Sequence, residues 1–265
     1  MTKIEKEEVG VERLVELMAR LRAPEGCPWD REQTYKTLVP FIIEEAYEVI
    51  AAIDDGSQGC LKDELGDLLF QIIFICRISQ EKGGFGLKDV VDHSVEKMVR
   101  RHPHVFGDAK AETSEEVLTH WAEIKKAEKK ASKIDGGYLA GIPETLPALL
   151  RAHKVSQKAA KAGFDWENID GVISKIDEEV LEFKRAVANR DKRNMEEELG
   201  DIIFTLVNVS RFIDVNPEDA LRKTIGKFIT RFHKVEKKII EAGKEVSKTH
   251  IDELERLWQE TKKEM

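Results

Sequence analysis

The chain has 265 residues, with 43 Lys and Arg against 51 Asp and Glu, a net charge of -8 and 35% charged residues; a length of that order suits one large domain or two small ones. That charge density, with only 7 prolines and 7% aromatic residues, speaks for long solvated helices over a β-rich fold, and the acidic balance argues against sequence-independent DNA binding, which depends on neutralising phosphates. No stretch nears the roughly 18 consecutive apolar residues of a membrane span, the opening MTKIEKEEVG lacks the apolar core of a signal peptide, and three cysteines without a CxxC pair offer neither a disulfide framework nor a thiolate zinc site, so a cytoplasmic protein with reduced thiols is expected.

Hydrophobic periodicity gives the elements in chain order. Apolar residues three and four apart predict a helix over 11–21, broken by RAPEGCPWD at 22–30. Pro40 is expected at a first helical position, opening a helix through Phe41 to Asp54 that closes at the turn signal Gly56-Ser57-Gln58-Gly59. A second long helix is expected from about Leu61 to Glu81, stopping at Gly83-Gly84-Phe85-Gly86, and a third from about Leu87 to Arg101, running into the loop HPHVFGDA. Thr113 or Ser114, with a glutamate close behind, supplies an N-cap for a helix through Trp121 to about Ala131. Residues 132–147, SKIDGGYLAGIPETLP, concentrate glycine and proline between charged helices and read as a linker. Beyond it helices are expected near 148–162, 171–189, 194–213, 217–242 and 250–264, with the loop GFDWENID between the first two.

The second half copies the first. Glu44-Glu45-Ala46-Tyr47-Glu48 and Glu178-Glu179-Val180-Leu181-Glu182 both read EExxE and stand 134 residues apart; Glu64-Leu65-Gly66-Asp67 and Glu198-Leu199-Gly200-Asp201, both ELGD, keep the same offset. Lys97 with Arg101 answers to Lys227 with Arg231, and Trp121 with Lys125 to Trp258 with Lys262, at offsets of 130 and 137 that small loop insertions explain. Such a period marks duplication of a helical unit. The expected organisation is all-α, with a first helical-bundle domain over 1–131, a linker over 132–147 and a second domain over 148–265.

On a helix turning about 100° per residue, Glu45 and Glu48 lie about 60° apart, as do Glu64 and Asp67, so each pair shares a face. Phe41, Val49 and Ala52 fall on the stripe of Glu45 and Glu48, and Asp67 lies in a run from Leu65 to Ile78 that is apolar almost all round, so these acids are expected to face inward. Carboxylates facing one another in a partly desolvated groove repel, because burial and like charge both disfavour ionisation. A divalent cation removes that conflict, and an all-oxygen set from two helices favours Mg2+, with Mn2+ as a substitute, over zinc. Mg2+ usually keeps waters and completes its shell with phosphates, which points to a phosphate-bearing substrate. One EExxE alone is ordinary on a solvated helix; its pairing with ELGD, in both halves, carries the reading. A carboxylate di-iron site would need Glu-x-x-His, and the residues three after Glu48, Glu64 and Glu182 are Ala51, Asp67 and Arg185.

Lys97 with Arg101, and Lys227 with Arg231, stand four apart on one helix face and can aim two cations at phosphate oxygens; taken alone, such pairs read as solvated faces. Trp121 and Trp258 can stack on a base, although a lone helical tryptophan is ordinarily core. His102 and His104 are better suited to ordering a loop than to holding a metal, and the run KKAEKKASK from Lys125 reads as solvated helix. Neither the P-loop motif nor GxGxxG occurs.

The paired EExxE and ExxD motifs, CPWD at Cys27 to Asp30, RRHPHVFGD at Arg100 to Asp108 and the tandem layout together resemble the MazG family of the all-α NTP pyrophosphatase superfamily, over nearly the whole chain. The resemblance implies a helical bundle per half, usually dimeric, and conversion of NTP or dNTP and water to NMP or dNMP and pyrophosphate with Mg2+. It also implies metal ligands at Glu45, Glu48, Glu64 and Asp67 in the first half and at Glu179, Glu182, Glu198 and Asp201 in the second. Phosphate and nucleotide contacts fall by the same likeness on Lys227, Arg231, Trp258 and Lys262, with Lys97, Arg101, Trp121 and Lys125 as first-half counterparts. Glu44 or Glu178, at the edge of a cluster, is a candidate proton acceptor beside the ligands themselves. The first half alone carries CPWD and HPHVFGD while the second has GFDW, so activity is expected in the second half at least. The competing readings are a non-catalytic dimerising scaffold that binds nucleotide, and a diphosphatase for another nucleotide.

Overall fold

A computed structural model describes residues 10–131 and 137–264, and among them every regular element is helical. The chain divides into two units, Met1–Lys133 and Ile134–Met265. Of the expected linker, residues 132–136 lie outside the described residues and 137–147 form turns. No described helix is long and apolar enough to cross a membrane.

The first unit is built on a hairpin of two long helices, α3 (Tyr35–Asp55) and α4 (Gln58–Glu81). Before it come α1 (Glu12–Leu21) and the short α2 (Pro28–Glu32); after it come α5 (Leu87–Arg101), α6 (Pro103–Phe106) and α7 (Ser114–Ala131). The hairpin turn takes two residues. Gly56 closes α3 in the left-handed region at φ 71°, where a side chain would meet its own backbone, and the Ser57 hydroxyl accepts from the Cys60 amide to start α4. Met18 of α1, Leu38 of α3 and Ile73, Phe74 and Ile78 of α4 are buried together. Each such side chain removed from water contributes about 1.5–3 kcal/mol. Arg22 ties the entry segment to this core: it bridges Glu81 at 2.7 Å and donates to the carbonyls of Asp30 and Gln33.

The structure corrects several sequence expectations. Pro40 stands inside α3 instead of opening it. Thr34 and Thr37 cap each other's backbone amides at the true start, and one proline in the second turn removes a single bond that the rest of a 21-residue helix outweighs. Gln58 and Gly59 belong to α4, because Ser57 is a cap as well as a turn residue. CPWD supplies the cap and first turn of α2, and HPHVF forms α6, each opened by a proline at the first helical position.

The second unit repeats the hairpin. Its helices are α8 (Ala148–Lys161), α9 (Ile169–Asn189), α10 (Lys192–Phe212), α11 (Pro217–Glu241) and α12 (Ile251–Lys263), with a 3₁₀ turn at Val246–Lys248. Arg190 holds the left-handed position of Gly56, and Asp191 caps the Asn194 amide as Ser57 caps Cys60, each 134 residues on. Helix α8 packs against α10 and α11, and α11 meets α12 through Val235, Ile239 and Leu257. The Arg211–Asp165 pair fastens the GFDW loop to α10.

In both units the hairpin leaves one side open. Tyr47, Ile53, Leu65 and Ile72 are exposed, and so are Leu181, Val187, Leu199 and Leu206, their counterparts at the same offset. The ELGD glycines, Gly66 and Gly200, lie in helix interiors where an added side chain would meet nothing within 4 Å.

Candidate active site

The hairpin determines which acids meet. Because α3 and α4 run antiparallel, the EExxE turn of one faces the ELGD turn of the other. Glu45, Glu48 and Glu64 bring oxygen atoms within 4.8 Å of one another, and Glu179, Glu182 and Glu198 do the same between α9 and α10. Asp67 and Asp201 stand outside these two sets but close enough to act on their charges.

Electrostatics bears on what such a set can hold. The Glu45 carboxyl is pushed above the ordinary glutamate range by desolvation, then by Asp67 and Glu48, while a hydrogen bond with Gln71 partly offsets the rise. Glu64 is raised by desolvation and by Glu48 and Asp67, and Glu198 by desolvation and by Glu182 and Glu179. Like charges thus crowd a partly desolvated face, and an oxygen-binding dication answers that conflict. The donor set fits Mg2+ or Mn2+: all its members are carboxylates, they come from two rigid helices, and one side is open to water and phosphate oxygens.

The expectation that all these acids face inward needs correction. Glu179 is buried and Glu45, Glu64, Glu182 and Glu198 are half-buried, but Glu48, Asp67 and Asp201 are exposed. The run from Leu65 to Ile78 is only partly covered, since α3, α1 and α5 pack on α4 without enclosing it and Leu65 and Ile72 stay exposed. Glu44 and Glu178 are exposed and outside both sets.

The second cluster holds a cation that sequence reasoning missed. Lys175 Nζ lies 2.8 Å from Glu179 and 2.9 Å from Glu178, and its own pKa is raised by those two carboxylates. Its place, one helical turn before Glu179, was a legible signal. The first unit has Phe41 at the same register, edge-on to Trp29 with ring centroids 5.7 Å apart.

The basic and aromatic residues also differ between units. In the second, Arg231 lies over the Trp258 ring, 4.9 Å from its centroid, and Phe228 sits 5.0 Å from the same ring. Arg231 Nε is buried without a hydrogen-bond partner, and Lys227 and Lys262 are exposed. In the first, Lys125 takes the place over Trp121 at 4.4 Å, His102 packs against that indole, and Lys97 is half-buried. Arg101 turns instead to Glu128, at 2.6 Å, and Arg100 grips the other oxygen of the same carboxylate at 2.7 Å.

A family model described as the MazG nucleotide pyrophosphohydrolase domain matches the chain twice, over residues 33–106 and 168–236. Each match takes in one hairpin and one acid cluster. The nucleoside triphosphate pyrophosphohydrolase/pyrophosphatase MazG of Thermotoga maritima is 43% identical over 254 residues, covering 95% of each chain. The nucleoside triphosphate pyrophosphohydrolase of Escherichia coli is 42% identical over 259 residues, 96% of this chain and 97% of its own. Among solved structures, a mazG-related protein from Thermotoga maritima is 31% identical and covers 44% of this chain and 99% of its own, with a TM-score of 0.39.

Proposed function

The chain belongs to the MazG nucleotide pyrophosphohydrolase family, whose members act as hydrolases on nucleoside triphosphates, and on that premise we propose that it hydrolyses NTP or dNTP to the monophosphate and pyrophosphate with Mg2+. The observation that carries the reading is the convergence of three carboxylates from two helices, made twice in one chain. Mg2+ would be held by Glu45, Glu48 and Glu64 with Asp67 in the first unit, and by Glu179, Glu182 and Glu198 with Asp201 in the second; Mn2+ can substitute. When bound, such an ion supplies charge stabilisation for the departing pyrophosphate and makes a water more acidic.

The remaining work falls to the chain's own groups. Lys227 and Arg231, and their counterparts Lys97 and Arg101, meet phosphate oxygens with charge-assisted hydrogen bonds. Trp258 and Trp121 offer indole faces to a base, with Lys262 and Lys125 one turn further along. Glu44 and Glu178 are exposed at the edges of the clusters and are the candidates to accept the proton of the attacking water. The repeated exposed apolar stripe, Tyr47 to Ile72 and Leu181 to Leu206, supports a homodimer in which a second copy covers the open side of each hairpin.

Glu45→Gln and Glu179→Gln, made singly and together in the full chain, test the site by pyrophosphate release from each NTP in Mg2+. The double variant is expected to lose at least about a hundredfold in rate, as loss of charge stabilisation at such a site typically does. Full activity in the double variant would remove the assignment.

A further inference from the structure

Trp121, Lys125 and Glu128 lie on one face of α7, at spacings of four and three residues. The corresponding face of α12 carries Trp258 and Lys262, and the residue seven after Trp258 is Met265, so the second unit has no Asp or Glu side chain at that register. The arginines answer to this one difference. Arg101 is taken up by Glu128 with its side chain 15% exposed, whereas no ion pair of Arg231 is found among the described residues.

We infer that Glu128 occupies the phosphate-binding arm of the first unit, holding Arg101 as a triphosphate would and so weakening nucleotide binding there relative to the second unit. The inference rests on the reading of Arg101 and Arg231 as phosphate contacts. Its physical basis is competition between like ligands: carboxylate and phosphate oxygens present the same charge and the same acceptor geometry to a guanidinium. Glu128 is attached to the same fold, so its effective concentration is high and constant. Arg100 and Arg101 each hold one of its oxygens, and together they depress its pKa to about 2, so it stays ionised at any working pH. An incoming triphosphate must displace Glu128 and then sit beside the half-buried carboxylate it has displaced. The second unit imposes neither demand, because Arg231 rests on an indole face and gives up only a cation–π contact when it turns to phosphate.

The test uses the full chain and the α,β-methylene analogue of ATP in Mg2+, with affinity read by calorimetry. Unit 1 is isolated functionally by Glu179→Gln with Glu198→Gln, and unit 2 by Glu45→Gln with Glu64→Gln. Arg101→Gln is expected to leave affinity in unit 1 within about twofold, whereas Arg231→Gln lowers that of unit 2 by about tenfold or more, the range of one charge-assisted contact. Glu128→Gln is expected to raise unit 1 affinity about tenfold, and adding Arg101→Gln removes the gain. The inference is overturned if Arg101→Gln alone weakens unit 1 as much as Arg231→Gln weakens unit 2, since Arg101 is then already in use. It is equally overturned if Glu128→Gln lowers the unfolding temperature and leaves affinity unchanged, which makes the pair a structural clamp. Should Glu128→Gln fail to fold by circular dichroism, the comparison of Arg101→Gln with Arg231→Gln decides alone. Loss of any effect from Arg231→Gln would instead sink the phosphate-contact reading itself.

Discussion

A carboxyl whose pKa is raised by its neighbours must release its proton before it can bind a cation. Glu45, Glu64 and Glu198 are all shifted upward by desolvation and by adjacent acids. Metal binding favours the ionised form, so Mg2+ affinity is expected to climb as pH rises toward the raised value of the free carboxyls and to level off above it. Titration calorimetry at pH 5 and pH 8, in buffers of different ionisation enthalpy, would reveal both the rise and the released protons; an affinity independent of pH would contradict the shared-charge account. For the stability of the ion-free protein the sign reverses: a raised acid binds more protons folded than unfolded, so its contribution falls as pH rises from the ordinary glutamate value through the raised one. Most of this chemistry was legible at the residue scale, because EExxE and ELGD fix acids at helical spacing. Lys175 was missed although its partners stand three and four residues on along the same helix, whereas Glu128 was not legible, since it reads as one more charge on a solvated helix until the neighbouring helix supplies Arg100 and Arg101.

The helices report how closely two copies of a hairpin track each other. Ser57 and Asp191 cap the second helix of each hairpin, an equivalence that chemistry explains: both side chains accept from a backbone amide three residues on. Gly56 and Arg190 share the left-handed end of the first helix, and here the copies diverge, because arginine has a side chain to accommodate at φ 53°. Arg190→Gly is expected to raise the stability of the second unit by about 1 kcal/mol, measured by chemical denaturation; a loss would mean that the arginine side chain contributes contacts exceeding its backbone strain. Helix positions were readable from apolar spacing, and the ends from glycine and proline. The exceptions are instructive. Pro40 suggested a start, but a threonine pair six residues earlier made a better one, and Ser57 served as turn and cap together. Punctuation residues mark where a chain can stop, while the capping bonds formed decide where it does.

At the scale of the molecule, the open sides of the hairpins matter most. Leu65 and Leu199, equivalent and exposed, belong to neither buried core cluster. On the homodimer reading, Leu65→Glu with Leu199→Glu is expected to leave helix content unchanged while shifting sedimentation from dimer to monomer; a persistent dimer would place the interface elsewhere. The duplication itself was visible in the sequence, but the uncovered face was not, because apolar residues look alike whether their own fold or another chain buries them. One further difference follows from Phe41 standing where Lys175 stands in the other copy. A resident ammonium already shields part of one acid nest, whereas a benzene ring leaves its twin at full negative potential. On the dication reading, two pockets of common descent thus begin with unequal appetites, and scarce magnesium would fill them in sequence, the amino-terminal one first.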